Sequence, residues 1–133
     1  VDEVRAAKAD TRSQKIIAAQ ALIAQQPEAG VRDFWYGKLQ AVQDDPQAAA
    51  YFRSAIRHGH APAEAELIRL LEHDKCAVRV QAAETIAELK LTAGRDALIL
   101  LKEKGGPDDA QKILFLGCNS RQSAAEALQR IDE

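Results

Sequence analysis

Three histidines are the first residues of this chain whose type and spacing could support chemistry. His58 and His60 stand two positions apart, His73 follows further on, and imidazole nitrogens are common zinc ligands. Side chains two positions apart on a helix diverge by about 200°, so His58 and His60 cannot both face one ion from a helix. We therefore predict no metal site, and no other pattern in the sequence indicates a cofactor.

Patterns typical of catalysis are also missing from the sequence. Gly105-Gly106 precedes Pro107 and two aspartates, whereas a phosphate-binding loop ends in Lys-Ser or Lys-Thr. No nucleophile elbow occurs. The sequence therefore predicts a protein that is not an enzyme. The alternative is an enzyme or lyase subunit with a small-molecule pocket, which needs convergent polar groups. The candidates for such a pocket are His58, His60, Asp44 and Asp45.

Basic side chains on two neighbouring predicted helices suggest a binding surface. Arg53 and Arg57 stand four residues apart, which places like charges on one helical face at a mildly unfavourable spacing. Arg69 lies on the following helix. Because a bound anionic group would relieve the repulsion, the three arginines are candidates for contact with a partner. The alternative is a solvated face on which Arg53 stacks on, or pairs with, a neighbouring side chain.

Half of the six aromatic residues stand together as Phe34-Trp35-Tyr36. Three consecutive side chains on a helix cannot all face the same core. We therefore expect Trp35 or Tyr36 to stay partly exposed as an anchor, because such rings contribute strongly to interface energies. The alternative is that the first helix covers them.

Length, composition and charge define the class of protein. The 133 residues are 47% hydrophobic and 29% charged, as in one ordinary globular domain. A net charge of −2 argues against nucleic acid as a partner. No apolar run approaches the roughly 18 residues of a membrane span, so we expect no membrane insertion. The chain starts at Val1 without a methionine or a signal-peptide pattern. We therefore expect that a preceding segment was removed, and the compartment stays open between cytoplasm and periplasm.

The elements that must position these residues are helices. Alanine accounts for 26 of the 133 residues, whereas β-branched and aromatic residues are sparse. Gly59 is expected to end a helix at positive φ, Pro62 to open the next, Asp45 to cap a helix that begins at Pro46, and Asn119 or Ser120 to cap the last. The predicted helices are 3–26, 31–43, 46–58, 62–72, 75–90, 93–104, 107–116 and 120–131.

Short loops predict that sequential helices pack as antiparallel neighbours. Within 75–90, Val78, Ala82 and Ile86 belong to one apolar stripe and Arg79 lies off it, so Arg79 is expected on the solvent side.

An internal repeat links two of the predicted helices. Cys76 and Cys118 align at an offset of 42 residues, which lies within the roughly 40 to 47 residues of HEAT and armadillo repeats. The register holds for Arg79 with Arg121 and for Ala82-Ala83-Glu84 with Ala124-Ala125-Glu126. The first copy resembles the HEAT-repeat family at Asp74, Val78-Arg79, Ala82-Ala83, Ile86 and Leu89. The second copy has Gln122 and Ser123 near the expected Val-Arg, as a truncated capping unit would.

The middle of the chain is similar to the SEL-type variant of the tetratricopeptide repeat, over about residues 34–72. The residues that carry this resemblance are Tyr36-Gly37, Tyr51-Phe52-Arg53, Ala55, Gly59-His60-Ala61, Ala63 and Leu67. Residues 12–26 would be the second helix of a preceding, degenerate repeat. The two resemblances imply an all-α fold, a right-handed α-solenoid of about eight antiparallel helices. Its single domain, 1–133, would have a tetratricopeptide-like half, 1–73, and a HEAT-like half, 74–133.

The two cysteines could form a disulfide or supply a nucleophile. Equivalent positions of neighbouring solenoid repeats usually lie beyond the roughly 7 Å that bridged Cα atoms allow. We therefore expect Cys76 and Cys118 to be free thiols.

The sequence as a whole predicts a protein interaction module without a reaction of its own. The resemblances imply an adaptor or assembly factor, for example in a bacterial envelope or secretion system; the alternatives are an immunity-type inhibitor of a toxin and a structural spacer in a larger chain. We expect a monomer or weak homo-oligomer that binds a protein or peptide on its concave face. The residues expected to contact this partner are Trp35, Tyr36, Arg53, Arg57 and Arg69.

Overall fold

A computed structural model describes residues 1–109 and 117–133 and, at Asp10, the backbone alone. The described residues form eight α-helices, two short 3-10 turns at Leu70–Glu72 and Thr92–Gly94, and no strand. The predicted all-α class is therefore confirmed for the described part of the chain. The helices are α1 (Asp2–Ala6), α2 (Ala9–Ala24), α3 (Ala29–Val42), α4 (Ala48–Arg57), α5 (Pro62–Arg69), α6 (Cys76–Glu88), α7 (Arg95–Lys104) and α8 (Ser120–Asp132).

The predicted first helix, 3–26, is wrong in one respect, because it is two helices. Ala7 and Lys8 are extended, with ψ of 145° and 156°, and separate α1 from α2. The break lets α1 contact α2 and α3, so that Val4 is fully buried in a small cluster with Ile23 and Leu39. A continuous helix would carry Val4 away from that cluster, and its burial stabilises the bend.

Several predicted helix ends are confirmed. Gly59 has φ +85° after α4, and Pro62 is the first residue of α5. The Asn119 side chain caps α8 by accepting a hydrogen bond of 3.2 Å from the Gln122 backbone N–H. At α4 the prediction is two residues early: the helix starts at Ala48, and Asp45 Oδ1 accepts a hydrogen bond from the Gln47 N–H.

The predicted helix 107–116 falls largely outside the described residues. Its first two residues, Pro107 and Asp108, form a turn.

The main core joins α4, α5, α6, α7 and α8 through small and aliphatic side chains. Close approach of α3 and α4 depends on Gly37: a Cβ added there would lie 2.6 Å from the Phe52 ring, which is itself buried. The ring therefore packs directly on the α3 backbone. Fully buried members of the core include Ala48, Ala55, Ala63, Leu67, Val78, Ala82, Ile86, Leu98 and Ala124.

Candidate functional site

A groove lies between α1, α2 and α3. Its volume is about 450 Å³, which is within the range of ligand sites. We call it the α1–α3 groove. Its inner side holds Val4 and Ile23, both buried, while its charged residues are exposed or half-buried. The lining residues are Val1, Asp2, Glu3, Val4, Lys15, Ala18, Ala19, Leu22, Ile23, Gln26, Trp35 and Lys38.

Trp35 is the exposed member of the aromatic triplet. Its residue surface is 36% exposed, and it lines the α1–α3 groove. Phe34 is half-buried, with its ring centroid 5.3 Å from that of Trp35 and 6.1 Å from that of Phe52. Tyr36 is half-buried against Tyr51, with centroids 5.5 Å apart. The first helices therefore leave the Trp35 ring accessible.

Two lysines, Lys15 and Lys38, line the groove together with the acidic residues Asp2 and Glu3. The Lys38 ammonium lies 5.0 Å from the Trp35 ring centroid and 5.6 Å from that of Phe34, a cation–π arrangement. Among the side chains that the structure describes, neither lysine has a carboxylate within 4.0 Å. Asp2, which also lines the groove, pairs with Arg5 at 3.2 Å.

The apolar surface continues from the groove onto the outer face of α2. Ile17 and Leu22 are 66% and 65% exposed; they lie about 140° apart around α2, and the exposed Ala18 and Ala21 lie between them. Leu22 also lines the groove, so the two surfaces are continuous. Sequence reasoning missed this stripe, although an apolar face on a helix with few core positions is a readable signal.

The predicted arginine surface lies elsewhere and has internal counter-ions. Glu88 of α6 lies 3.0 Å from Arg53 and 3.9 Å from Arg57, so one carboxylate offsets both charges. Arg69 pairs with Glu66 on its own helix at 3.4 Å. Arg53 lines a hollow of its own, whereas Trp35 lines the α1–α3 groove. The structure thus brings Arg53 and Arg57 together but does not place either of them in the groove with Trp35.

The histidines and aspartates weighed for a ligand pocket do not converge. His58 lies 3.5 Å from Asp33 and, with His60, lines a hollow that includes neither Asp44 nor Asp45. Asp44 instead lies 3.4 Å from His73. Within residues 1–109 and 117–133, leaving out Asp10, no group of three His, Cys, Asp or Glu side chains could hold a metal ion.

The expectation of free cysteines is wrong. Cys76 and Cys118 form a disulfide, with their Cα atoms 6.1 Å apart. Cys76 is the first residue of α6 and Cys118 stands two residues before α8. Because α6 and α8 pack directly against each other, their N-terminal ends lie close enough to be bridged.

Arg79 is buried rather than solvent-facing, which corrects a second expectation. It is 1% exposed, and its guanidinium donates to Ser120 Oγ at 3.1 Å, to the His73 carbonyl at 2.7 Å and to the Pro107 carbonyl. Asp109 Oδ1 lies 3.4 Å from the same group. We call Arg79, Asp109 and Ser120 the Arg79 network. Its polar partners explain how a charged side chain can occupy this position.

Asp109 joins the loop after α7 to the start of α8. Its carboxylate accepts hydrogen bonds from the Ser120 N–H and hydroxyl and from the Gly106 N–H. Burial alone would raise its pKa, but these hydrogen bonds and the charge of Arg79 outweigh burial and lower the pKa below its ordinary value. The network thus connects the loop after α7 to the start of α8, and it stabilises the fold when Asp109 is ionised.

The chain has no significant match among protein-family models, curated proteins or solved structures. Over the described residues, no helix combines the length and apolar character needed to cross a bilayer.

Proposed function

We propose that this protein is a non-catalytic interaction module that captures a segment of a protein or peptide in the α1–α3 groove. The observation that carries the proposal is the half-exposed Trp35 beside an open apolar groove. Indole rings are enriched among the residues that dominate binding energy at protein interfaces. Exposed apolar surface next to such a ring is typical of an interaction site.

The positions of the polar groups favour a binding role over a catalytic role for the α1–α3 groove. The inner side of the groove is formed by apolar side chains such as Val4, Ala19 and Ile23, while Glu3, Lys15 and the other charged groups lie at its rim. A catalytic site needs a nucleophile, an acid or a base converging on one reacting atom. Charged side chains at the edge of a groove whose inner side is apolar are instead typical of a site that binds an amphipathic partner.

The architecture proposed for the module is a right-handed α-solenoid, as the HEAT and SEL-type resemblances imply. Packing between helices supports it: α3 contacts α4, α4 contacts α5, and α6 contacts α8, the next helix but one along the chain. In a solenoid each helical pair buries its apolar face against the next pair. The uncovered stripe on α2, at Ile17 and Leu22, is where such a stack would present surface to a partner.

The disulfide supports a location in an oxidising compartment. Disulfides form and persist outside the cytosol, for example in the bacterial periplasm. We therefore propose an adaptor or assembly factor that works in a cell envelope or outside the cell. Alkylation of the protein in its native source before and after reduction tests this placement: two cysteines protected until reduction support it, and two already reactive thiols contradict it.

Affinity capture tests the module itself. Wild-type protein and Trp35→Ala are used as bait in extract from the native source, and captured proteins are identified by mass spectrometry. The matched control is Leu100→Ala, since Leu100 is also an exposed apolar residue, 44% exposed, but lies outside the groove. We expect the loss of specific partners with Trp35→Ala alone. Equal capture by both folded variants would contradict the groove as the binding site.

The arginine surface can be tested in the same experiment. Arg53→Glu combined with Arg57→Glu places new carboxylates beside Glu88, so any anionic partner of this face is repelled. We expect retained helicity by circular dichroism and loss of partner capture if this face contributes. Unchanged capture by the folded double variant removes Arg53 and Arg57 from the interface.

A further inference from the structure

The two sulfur atoms of the disulfide have unequal surroundings. Cys76, the first residue of α6, is buried, with 4% of its surface exposed. Cys118 is half-buried and follows the exposed Gly117, which has no side chain that could cover the sulfur. Because thiol–disulfide exchange needs access to the attacked sulfur, a thiol from solution reaches Cys118 more readily than Cys76.

Asp109 provides a hydrogen-bond acceptor for Cys76 in its thiol form. Oδ1 of Asp109 lies 3.2 Å from Sγ of Cys76. In the disulfide this sulfur carries no hydrogen, whereas an S–H group formed by opening the bond can donate to Oδ1. The Ser120 hydroxyl lies 2.7 Å from Oδ1 and 2.8 Å from Oδ2, so it can donate to Oδ2 and leave Oδ1 for the thiol. The opened state therefore gains a hydrogen bond at Cys76 that the disulfide lacks.

The charge of Asp109 also favours a neutral thiol at Cys76. Burial of the carboxyl group opposes its ionisation, but hydrogen bonds from Ser120 and Gly106 and the charge of Arg79 lower the pKa of Asp109 below its ordinary value. Asp109 is therefore a carboxylate at neutral pH, and a carboxylate disfavours a second negative charge on the sulfur beside it. Of the two products of exchange, the one with a free thiol at Cys76 and an adduct at Cys118 is the more stable.

The Arg79 network holds the two sulfur atoms near each other when their bond is open. Ser120 lies two residues after Cys118 and is fully buried. Its N–H donates to Asp109 Oδ1 at 2.7 Å, and its Oγ accepts a hydrogen bond of 3.1 Å from Arg79. Because these hydrogen bonds do not involve either sulfur, the start of α8 stays on α6 without the disulfide. Cys76 then remains at a high effective concentration beside Cys118.

We propose that Cys118 is a reversible acceptor site for a small thiol, and that Cys76 is the resolving thiol that forms the disulfide again. In the forward step the thiolate of the small thiol bonds to Sγ of Cys118, the Cys76–Cys118 bond breaks, and Cys76 takes up the proton that the small thiol lost. In the reverse step the Cys76 thiolate attacks Sγ of Cys118, and the small thiol leaves with the proton. The exchange is balanced without a further oxidant or reductant. Because it uses no residue of the α1–α3 groove, this inference goes beyond the proposed function.

Mapping of the adduct tests which sulfur accepts the thiol. Oxidised wild type is incubated with reduced and oxidised glutathione, quenched with N-ethylmaleimide, digested and analysed by mass spectrometry. We expect glutathione on Cys118 and maleimide on Cys76 in about tenfold excess over the opposite arrangement. The control is the same reaction in denaturing urea, where both sulfurs are exposed and the two arrangements should form about equally.

Three results of this mapping would overturn the inference. The first is an excess of glutathione on Cys76, and the second is equal amounts of the two arrangements in the folded protein. The third is a disulfide that stays closed in a large excess of reduced glutathione.

Single-cysteine variants give an independent measurement of reactivity. Cys76→Ala leaves one thiol at Cys118, and Cys118→Ala leaves one at Cys76. After circular dichroism has confirmed that both fold, each is treated with oxidised glutathione. We expect the Cys118 thiol to form its adduct about tenfold faster than the Cys76 thiol, which is buried beside a carboxylate. A faster reaction at Cys76 would contradict the inference, and if either variant does not fold, the wild-type mapping decides.

Ser120→Ala tests whether the Arg79 network positions Cys118 for closure. The ratio of closed protein to adduct in glutathione buffers gives the effective concentration of the Cys76 thiol. We expect it to fall about tenfold in Ser120→Ala, because a buried hydrogen-bonded hydroxyl is lost. The matched control is Ser123→Ala on the same helix, whose hydroxyl lies 3.4 Å from the Asn119 carbonyl and away from the network. Equal effective concentrations in wild type and both folded variants would contradict the positioning role.

Discussion

Removal of the disulfide should lower the stability of the fold without abolishing it. The bond joins residues separated by 42 positions in the chain. In the loop-entropy account, a cross-link of this span lowers the conformational entropy of the unfolded chain by about 13 cal/mol/K. At 25 °C this corresponds to about 4 kcal/mol in the free energy of unfolding. Native domains are typically stable by about 5–15 kcal/mol, and α8 also packs on α6 and α7 through buried apolar side chains. We therefore expect a folded but weakened protein.

The assay is urea unfolding followed by circular dichroism, with oxidised wild type, reduced wild type and the double variant Cys76→Ala, Cys118→Ala. Alanine is preferred to serine because Sγ of Cys76 lies 3.2 Å from Asp109 Oδ1, where a hydroxyl would donate a new hydrogen bond. With a slope of about 1.5 kcal/mol per molar urea, the midpoint should fall by roughly 2.5 M. The slope itself should rise, because the unfolded chain expands.

The double variant is also the control for the reductant, which should not change its midpoint. Equal midpoints for the oxidised, reduced and variant proteins would refute the reasoning about chain entropy. Two free thiols in denatured, unreduced protein would refute the bond itself.

Three further predictions concern packed groups. Arg79→Met removes one partner of the Arg79 network and should lower the free energy of unfolding by about 3–5 kcal/mol in urea. Because the pKa of Asp109 is lowered on folding, its stabilisation is present at neutral pH and should be lost as pH falls below about 4 and then through the folded pKa, which acid titration of wild type against Asp109→Asn checks. Gly37→Ala forces the Phe52 ring away from α3 and should cost about 1–3 kcal/mol, seen as a lower Tm by calorimetry.

Local signals in the sequence were sufficient for several of the helix ends. Gly59 and Pro62 mark a boundary because positive φ and a missing N–H are properties of single residues. The break at Ala7 and Lys8 has no such signal, since both residues are compatible with helix. What bends the chain there is the distant cluster of Ile23 and Leu39 that buries Val4.

The site residues also divide into those whose placement follows from local sequence and those whose placement depends on residues distant in the chain. Exposure of one ring of the Phe34-Trp35-Tyr36 triplet follows from helical geometry alone. The pairing of Arg53 with Glu88 joins residues 35 positions apart, and the hydrogen bond from Arg79 to Ser120 joins residues 41 apart. Such contacts depend on which helices become neighbours, and periodicity within one helix does not contain that information.

The position of Val1 has a practical consequence for handling the protein. Because Val1 lines the groove together with Val4, Trp35 and Lys38, any tag or fusion partner joined to it would start within the groove. An N-terminal purification handle would then compete with ligands at high local concentration. Handles and surface-immobilisation chemistry therefore belong at Glu133, after α8, which lies outside the groove.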